Sequence, residues 1–177
     1  ATGPAPSMTR GFWRNPQRYL DTYWSRWPDV WYHGDWASVD ADGFWFLHGR
    51  SDDTIKVSGR RTGPAEIEAA LIEHEAVSEA AVIGVPHEIK GEAIVCFVVT
   101  RNEYEPNENL NDGIRDKVGE ILGKIARPDA LYFVKSLPKT RSAKIVRRLI
   151  KAKYLGQELG DLASVENPEA LEEIPVK

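Results

Sequence analysis

Two short, almost unbroken apolar runs, residues 80–85 and 93–99, read as a pair of strands; the segment between them, 86–92, is too polar to be core. On either side the spacing becomes helical. Pro64 suits the first turn of a helix whose Ile67, Ala70 and Leu71 share one face, with Glu66 and Glu68 near the positive end of its dipole. Ile114, Val118, Ile121, Leu122 and Ile125 form a second helical stripe, residues 130–134 a short strand, and Ile145, Leu149 and Ala152 a last stripe. Upstream, residues 40–43 read as a tight turn entering a strand at 44–47, with 54–57 as its partner. After this hairpin the order is helix, strand, strand, helix, strand, helix, which predicts a small α+β domain with helices packed on a short sheet. Residues 1–34, with Pro4, Pro6, Pro16 and Pro28 among aromatic clusters, keep neither period.

Composition changes this picture at the ends. The 177 residues match one ordinary domain, and 42% hydrophobic with 28% charged is globular. Yet all six Trp lie before residue 49, which suggests two pieces of different origin. Trp13, Trp24, Trp27 and Trp31 are expected to face a body outside the chain, since large exposed apolar patches mark a partner surface. A net charge of −4 gives no bulk basicity for nucleic acid or anionic lipid. Residues 136–153 carry basic side chains and no acid, whereas 154–177 hold six acids and one Lys; this reads as a solvated helix face beside a frayed acidic tail. The single Cys, Cys96, sits in an apolar run as a small buried hydrophobe, which permits a reducing compartment. No apolar run reaches the length of a membrane span and no signal-peptide core is visible, so no membrane partner and a cytoplasmic protein are expected.

Self-sufficient catalytic signatures fail on inspection. His74-Glu75 and His87-Glu88 each begin a zinc-protease pattern, but the second His is Ser78 or Gly91. Ser38, Asp40 and Asp42 resemble a calcium loop until its twelfth position, which is Gly49. Gly119 to Lys124 is too short for a phosphate-binding loop. What remains are polar corners. Arg50, Asp52 and Asp53 share a turn where an internal salt bridge is the plain reading. Ser58-Gly59-Arg60-Arg61 offers a small-residue corner beside two guanidiniums, suited to close ligand approach or simply solvated. Lys144 sits in a basic loop where Ser142 is placed to cap a helix.

Taken together, Tyr32-His33-Gly34-Asp35, the stretch from Gly49 through Arg50, Ser51, Asp52 and Asp53 to Ser58-Gly59-Arg60-Arg61, Glu66-Ile67-Glu68, and Leu137-Pro138-Lys139-Thr140-Arg141-Ser142-Ala143-Lys144 resemble the C-terminal part of AMP-forming acyl-CoA synthetases, most closely acetyl-CoA synthetases, in the adenylate-forming superfamily. The resemblance spans nearly the whole chain. It implies a large-domain end at 1–51, a mobile C-terminal domain at 52–160 and an acidic tail at 161–177. It also implies an N-terminal large domain, outside this chain, holding the phosphate loop and acyl pocket, without which little catalysis is expected.

The resemblance further implies roles residue by residue. Asp35 accepts hydrogen bonds from the ATP ribose hydroxyls, Arg50 contacts the nucleotide and Arg61 its phosphate side. Lys144 meets the acyl carboxylate and the α-phosphate during adenylation. Asp52 is the hinge, and Ser58 and Gly59 form the corner along which CoA reaches the adenylate. Backbone carbonyls of Ile72, His74 and Val77 hold a cation. The co-substrates are ATP with Mg2+, CoA and a small carboxylic acid; a lysine acetyltransferase and deacetylase acting on Lys144 are further implied partners. Two positions depart from the pattern. Ala143 replaces the glycine of a Ser-Gly-Lys, and Gly119 stands where an Arg for the CoA phosphate is usual, with Lys117 and Lys124 as substitutes. The competing readings are an adenylate-forming enzyme with a non-CoA acceptor and a basic nucleic-acid-binding module built on 136–153 with Tyr132 and Phe133.

Overall fold

The computed structural model describes residues 2, 3 and 5–177, apart from the side chain of His48. The chain divides into two compact units, 1–47 and 48–177.

In the first unit, residues 16–23 form helix α1 (Pro16–Tyr23), where the sequence shows no sustained period. Asn15 makes it possible: its side chain accepts from the Arg18 N–H at 3.1 Å, and Pro16 supplies the first-turn residue. Trp31, expected to look outward, is instead buried and stacked on Tyr23 at 4.7 Å between ring centroids. Trp13, Trp24 and Trp27 are exposed as expected. Strands β1 (Asp35–Val39) and β2 (Trp45–Arg50) make a two-stranded sheet around the turn at 40–43, which Asp40 closes by accepting from the Asp42 and Phe44 N–H groups.

The predicted partner of 44–47 is therefore wrong. Strand β3 (Ile55–Val57) pairs with β4 (Arg60–Thr62) and, at Val57↔Gly91, with the strand that opens at Gly91, not with β2. Ile55 and Val57 are buried, and the sheet of the second unit is where their apolar face finds cover.

That sheet runs β4-β3-β6-β5, with β7 (Ala130–Phe133) parallel to β6. The two apolar runs are its centre: β5 (Val77–His87) and β6 (Gly91–Thr100) pair antiparallel from Val77↔Thr100 to His87↔Gly91. The polar segment between them shrinks to a short turn. Both strands are nearly continuous in apolar residues because both faces are covered. On one face Ala80, Val82, Ile94, Cys96 and Val98 pack with Ile67 and Leu71 of α2 (Pro64–Ile72) and Ile114 and Val118 of α3 (Glu108–Leu122). On the other, Ala81, Ile83, Val95 and Phe97 pack with Leu137, Ile174, and Ile150 and Tyr154 of α4 (Arg147–Tyr154). The fold is α+β, as the pattern predicts. Cys96 is fully buried, and burial pushes its thiol pKa up.

Three local expectations change. Glu68 does not serve the helix dipole from the surface; it is buried. Helix α4 begins at Arg147, so Ser142 caps nothing and its hydroxyl meets that of Thr140 at 3.0 Å. The acidic tail is not frayed: a 3₁₀ turn at Pro168–Glu173 buries Ala170 and Leu171, and Ile174 joins the core. Its acids face water while its few apolar residues carry the packing. Among the described residues no helix is long and apolar enough to cross a membrane.

Candidate functional site

The polar corners of the second unit are each fixed by local chemistry. At the first, the Arg50 guanidinium forks onto Asp52, with Nε–Oδ1 at 3.0 Å and an Nη–Oδ2 contact at 3.2 Å. The salt bridge that sequence offered as the plain reading exists. The pKa of Asp53 is raised, first by desolvation and then by the neighbouring charge of Asp52, while Arg147 and Arg50 oppose the shift. Asp52, Asp53, Arg147, Arg148 and Lys151 line a cavity of about 200 Å³.

Ser58 and Gly59 are the two-residue turn between β3 and β4, with φ of +50° and +82°. Positive φ at both central positions is the hairpin turn matched to strand twist. The Ser58 N–H donates to the Lys90 carbonyl at 2.9 Å, which ties the corner to the β5–β6 turn. A Cβ on Gly59 would meet nothing within 4 Å, so this corner opens to solvent. Arg61 lies exposed on β4, opposite Lys56.

Lys144 is exposed on a small hairpin of its own. Lys139 and Ile145 bridge at its base, the Thr140 N–H donates to the Lys144 carbonyl at 2.9 Å, and the Lys144 N–H donates to the Thr140 hydroxyl at 3.2 Å. The loop closes through Ala143, whose φ is +60°. That is the left-handed position at which a three-residue hairpin loop ordinarily takes glycine. The replacement in this chain thus sits in the backbone conformation that glycine serves, and the loop keeps its shape with some strain.

Just beyond, Arg147 is anchored by Glu68, which sequence reasoning missed. The Arg147 Nε–Glu68 Oε1 distance is 2.7 Å, a second guanidinium nitrogen meets Oε2, and Oε1 also accepts from the Val82 N–H at 3.0 Å. The Glu68 bond raises the Arg147 pKa, so the guanidinium stays charged. The only local signal was an acid two places from another acid on a helix; 79 residues separate the partners.

The remaining positions scatter. Asp35 opens β1 in the first unit, after Gly34 at φ +89°, in contact with the His33 imidazole. Ile72 ends α2, and His74 and Val77 follow in the turn into β5, where the His74 carbonyl accepts from the Val77 N–H at 2.9 Å. Carbonyls past a helix C-terminus carry the partial negative charge that a cation requires; among the described residues no cluster of three or more His, Cys, Asp or Glu forms a metal site. Over Gly119 lies the side chain of Arg127, 3.4 Å from where a Cβ would stand, held by Asp116 at 2.6 Å and Asp112 at 3.4 Å.

Residues 66–144 match the AMP-binding enzyme C-terminal domain. The chain is 48% identical over 177 residues to an acetyl-coenzyme A synthetase of Methanothrix thermoacetophila, aligning 98% of itself with 27% of that protein. The chain corresponds to the C-terminal part of acetyl-coenzyme A synthetases and carries their AMP-binding enzyme C-terminal domain. It spans about a quarter of the length of the relatives it matches. A 3-hydroxypropionyl-coenzyme A synthetase of Sulfurisphaera tokodaii is 43% identical over 171 residues, covering 96% of this chain and 26% of that one. Among solved structures, acetoacetyl-CoA synthetase from Streptomyces lividans superposes with a TM-score of 0.84 at 30% identity, covering 97% of this chain and 26% of its own. The synthetase family is thus common to relatives acting on different acyl groups.

Proposed function

We propose that this chain supplies the C-terminal part of an acetate or short-chain acid:CoA ligase that forms AMP and works through an acyl-adenylate. The observation that carries the reading is the Lys144 hairpin: an exposed lysine whose backbone is fixed by hydrogen bonds to Thr140 where the loop closes. In the first half-reaction a carboxylate oxygen attacks the α-phosphorus of ATP, brought in with Mg2+, and pyrophosphate leaves. Lys144 stabilises the charge that gathers on carboxylate and phosphate, a task suited to a compact mobile cation. In the second, the CoA thiol loses its proton and attacks the acyl carbonyl, and AMP leaves. The open corner at Ser58 and Gly59 is the side that CoA passes, after rotation about a hinge at Asp52. Asp35, Arg50 and Arg61 hold the nucleotide. A cation at the carbonyls of Ile72, His74 and Val77 is part of the same proposal. So is the division into 1–51, 52–160 and 161–177, with a large N-terminal domain completing the cytoplasmic enzyme.

Acetylation of Lys144 by a lysine acetyltransferase would silence adenylation by removing its charge, and a deacetylase would restore it. A non-CoA acceptor remains the second reading, favoured only by Gly119 at the usual CoA-phosphate Arg.

Half-reactions measured on the full-length enzyme test the assignment. Lys144→Ala is expected to abolish carboxylate-dependent ATP–pyrophosphate exchange while sparing thioester formation from supplied acyl-adenylate, and Gly59→Leu to do the reverse. Equal loss of both steps in either variant refutes the roles, and product formation without CoA refutes the acceptor.

A further inference from the structure

The lysine hairpin does not stand alone: residues 165–167 lie against its Lys139–Thr140 side. Thr140 bridges Val165, and the Glu166 N–H donates to the Lys139 carbonyl at 2.8 Å. Asn167 then closes the arrangement with one side chain used in both directions. Its Oδ1 accepts from the Lys139 N–H at 2.8 Å, and its Nδ2 donates to the Leu137 carbonyl at 2.9 Å. Only an amide offers donor and acceptor together at that reach. Leu137 is fully buried, so its carbonyl has no water to fall back on. The Lys139 ammonium meanwhile reaches Glu79 on β5 at 2.7 Å, pinning the same residue to the sheet. One residue on, the Thr140 N–H and hydroxyl engage the backbone of Lys144. Hydrogen bonds on either side of the Lys139–Thr140 peptide bond therefore link Asn167 to Lys144.

We propose that Asn167 is a positioning residue for Lys144, and that residues 165–167 hold the lysine hairpin in its working geometry. This rests on reading Lys144 as the adenylation lysine. Removing the amide takes away two of the hydrogen bonds that tie the hairpin to the tail, so the ammonium is held less closely at the reacting phosphate while the Ser58–Gly59 corner is untouched.

The experiment uses full-length enzyme carrying Asn167→Ala, compared with wild type and with Lys144→Ala. Pyrophosphate exchange with acetate is expected to fall on the order of 10- to 100-fold in Asn167→Ala, the usual scale for misplacing a catalytic group by about 1 Å. Thioester formation from supplied acetyl-adenylate is expected to stay near the wild-type rate. A merely structural asparagine would depress both half-reactions together, and that result overturns the proposal, as does unchanged exchange. If Lys144→Ala itself leaves exchange intact, the underlying reading fails; if Lys144→Ala abolishes exchange and Asn167→Ala leaves it at the wild-type rate, the positioning role alone fails. Should Asn167→Ala not fold, Asn167→Asp, which keeps the acceptor and loses the donor, enters the same comparison with the same outcomes.

Discussion

Arg147→Met isolates the ion pair that joins α4 to α2. The substitution keeps a long side chain and removes the partner of a carboxylate whose side chain is only 10% exposed; that of Arg147 is 25% exposed. Removing one member of a buried pair typically destabilises by about 3–5 kcal/mol, because the other charge is left in a poor solvent. Water reaches a quarter of the Arg147 side chain, and Glu68 keeps the Val82 N–H, so about 2–3 kcal/mol is the expected loss for this chain. At this length that corresponds to a fall in Tm of roughly 5–10 °C. The double variant Glu68→Met with Arg147→Met removes both charges and orphans only the Val82 N–H, a penalty of about 1–2 kcal/mol. It should therefore be more stable than Arg147→Met alone. Urea denaturation followed by circular dichroism measures Arg147→Met, Glu68→Met and the double variant. A loss under about 0.5 kcal/mol in Arg147→Met, or a double variant whose loss equals the sum of the singles, would refute the claim that this pair is a coupled, desolvated unit.

Two further outcomes are expected. Ala143→Gly should change stability by less than about 1 kcal/mol, since relief at φ +60° is offset by a freer unfolded chain, whereas Ala143→Val should lose about 1–2 kcal/mol; equal tolerance of both in denaturation curves would contradict the left-handed loop. The Tyr154 pKa is pushed up to about 12 from 10, first by desolvation and then by the Tyr132 hydroxyl. Between those values the folded state keeps a proton that the unfolded state has lost, so stability declines as pH rises from about 10 to about 12. Tyr154→Phe should flatten that slope relative to wild type, as read from urea midpoints across the window.

The elements whose formation depends on neighbours in sequence were legible in advance. The apolar runs of β5 and β6, Pro64 at the start of α2 and the stripe of α3 each carry their own period, and the motif blocks carried the family. Spacing marked the Ser58–Gly59 corner as small and open, but it did not single out Lys144; only the resemblance to the family did. The carboxylate that holds Arg147 could not be named. Nor could the strand that covers Ile55, the tail residue Ile174 in the core, or the amide of Asn167 at the lysine hairpin. Each depends on partners 28 to 79 residues away, or on a second face of the sheet being covered. Periodicity shows that a face is apolar, and charge shows that a residue prefers water, but which surface meets which is settled by packing. The sequence by itself determined the kinds of element, their order and the family; only the tertiary structure decided that the acidic, polar segment around 165–167 would pack against the hairpin that carries Lys144. Buried backbone groups must find partners, and here the last residues of the chain supply them.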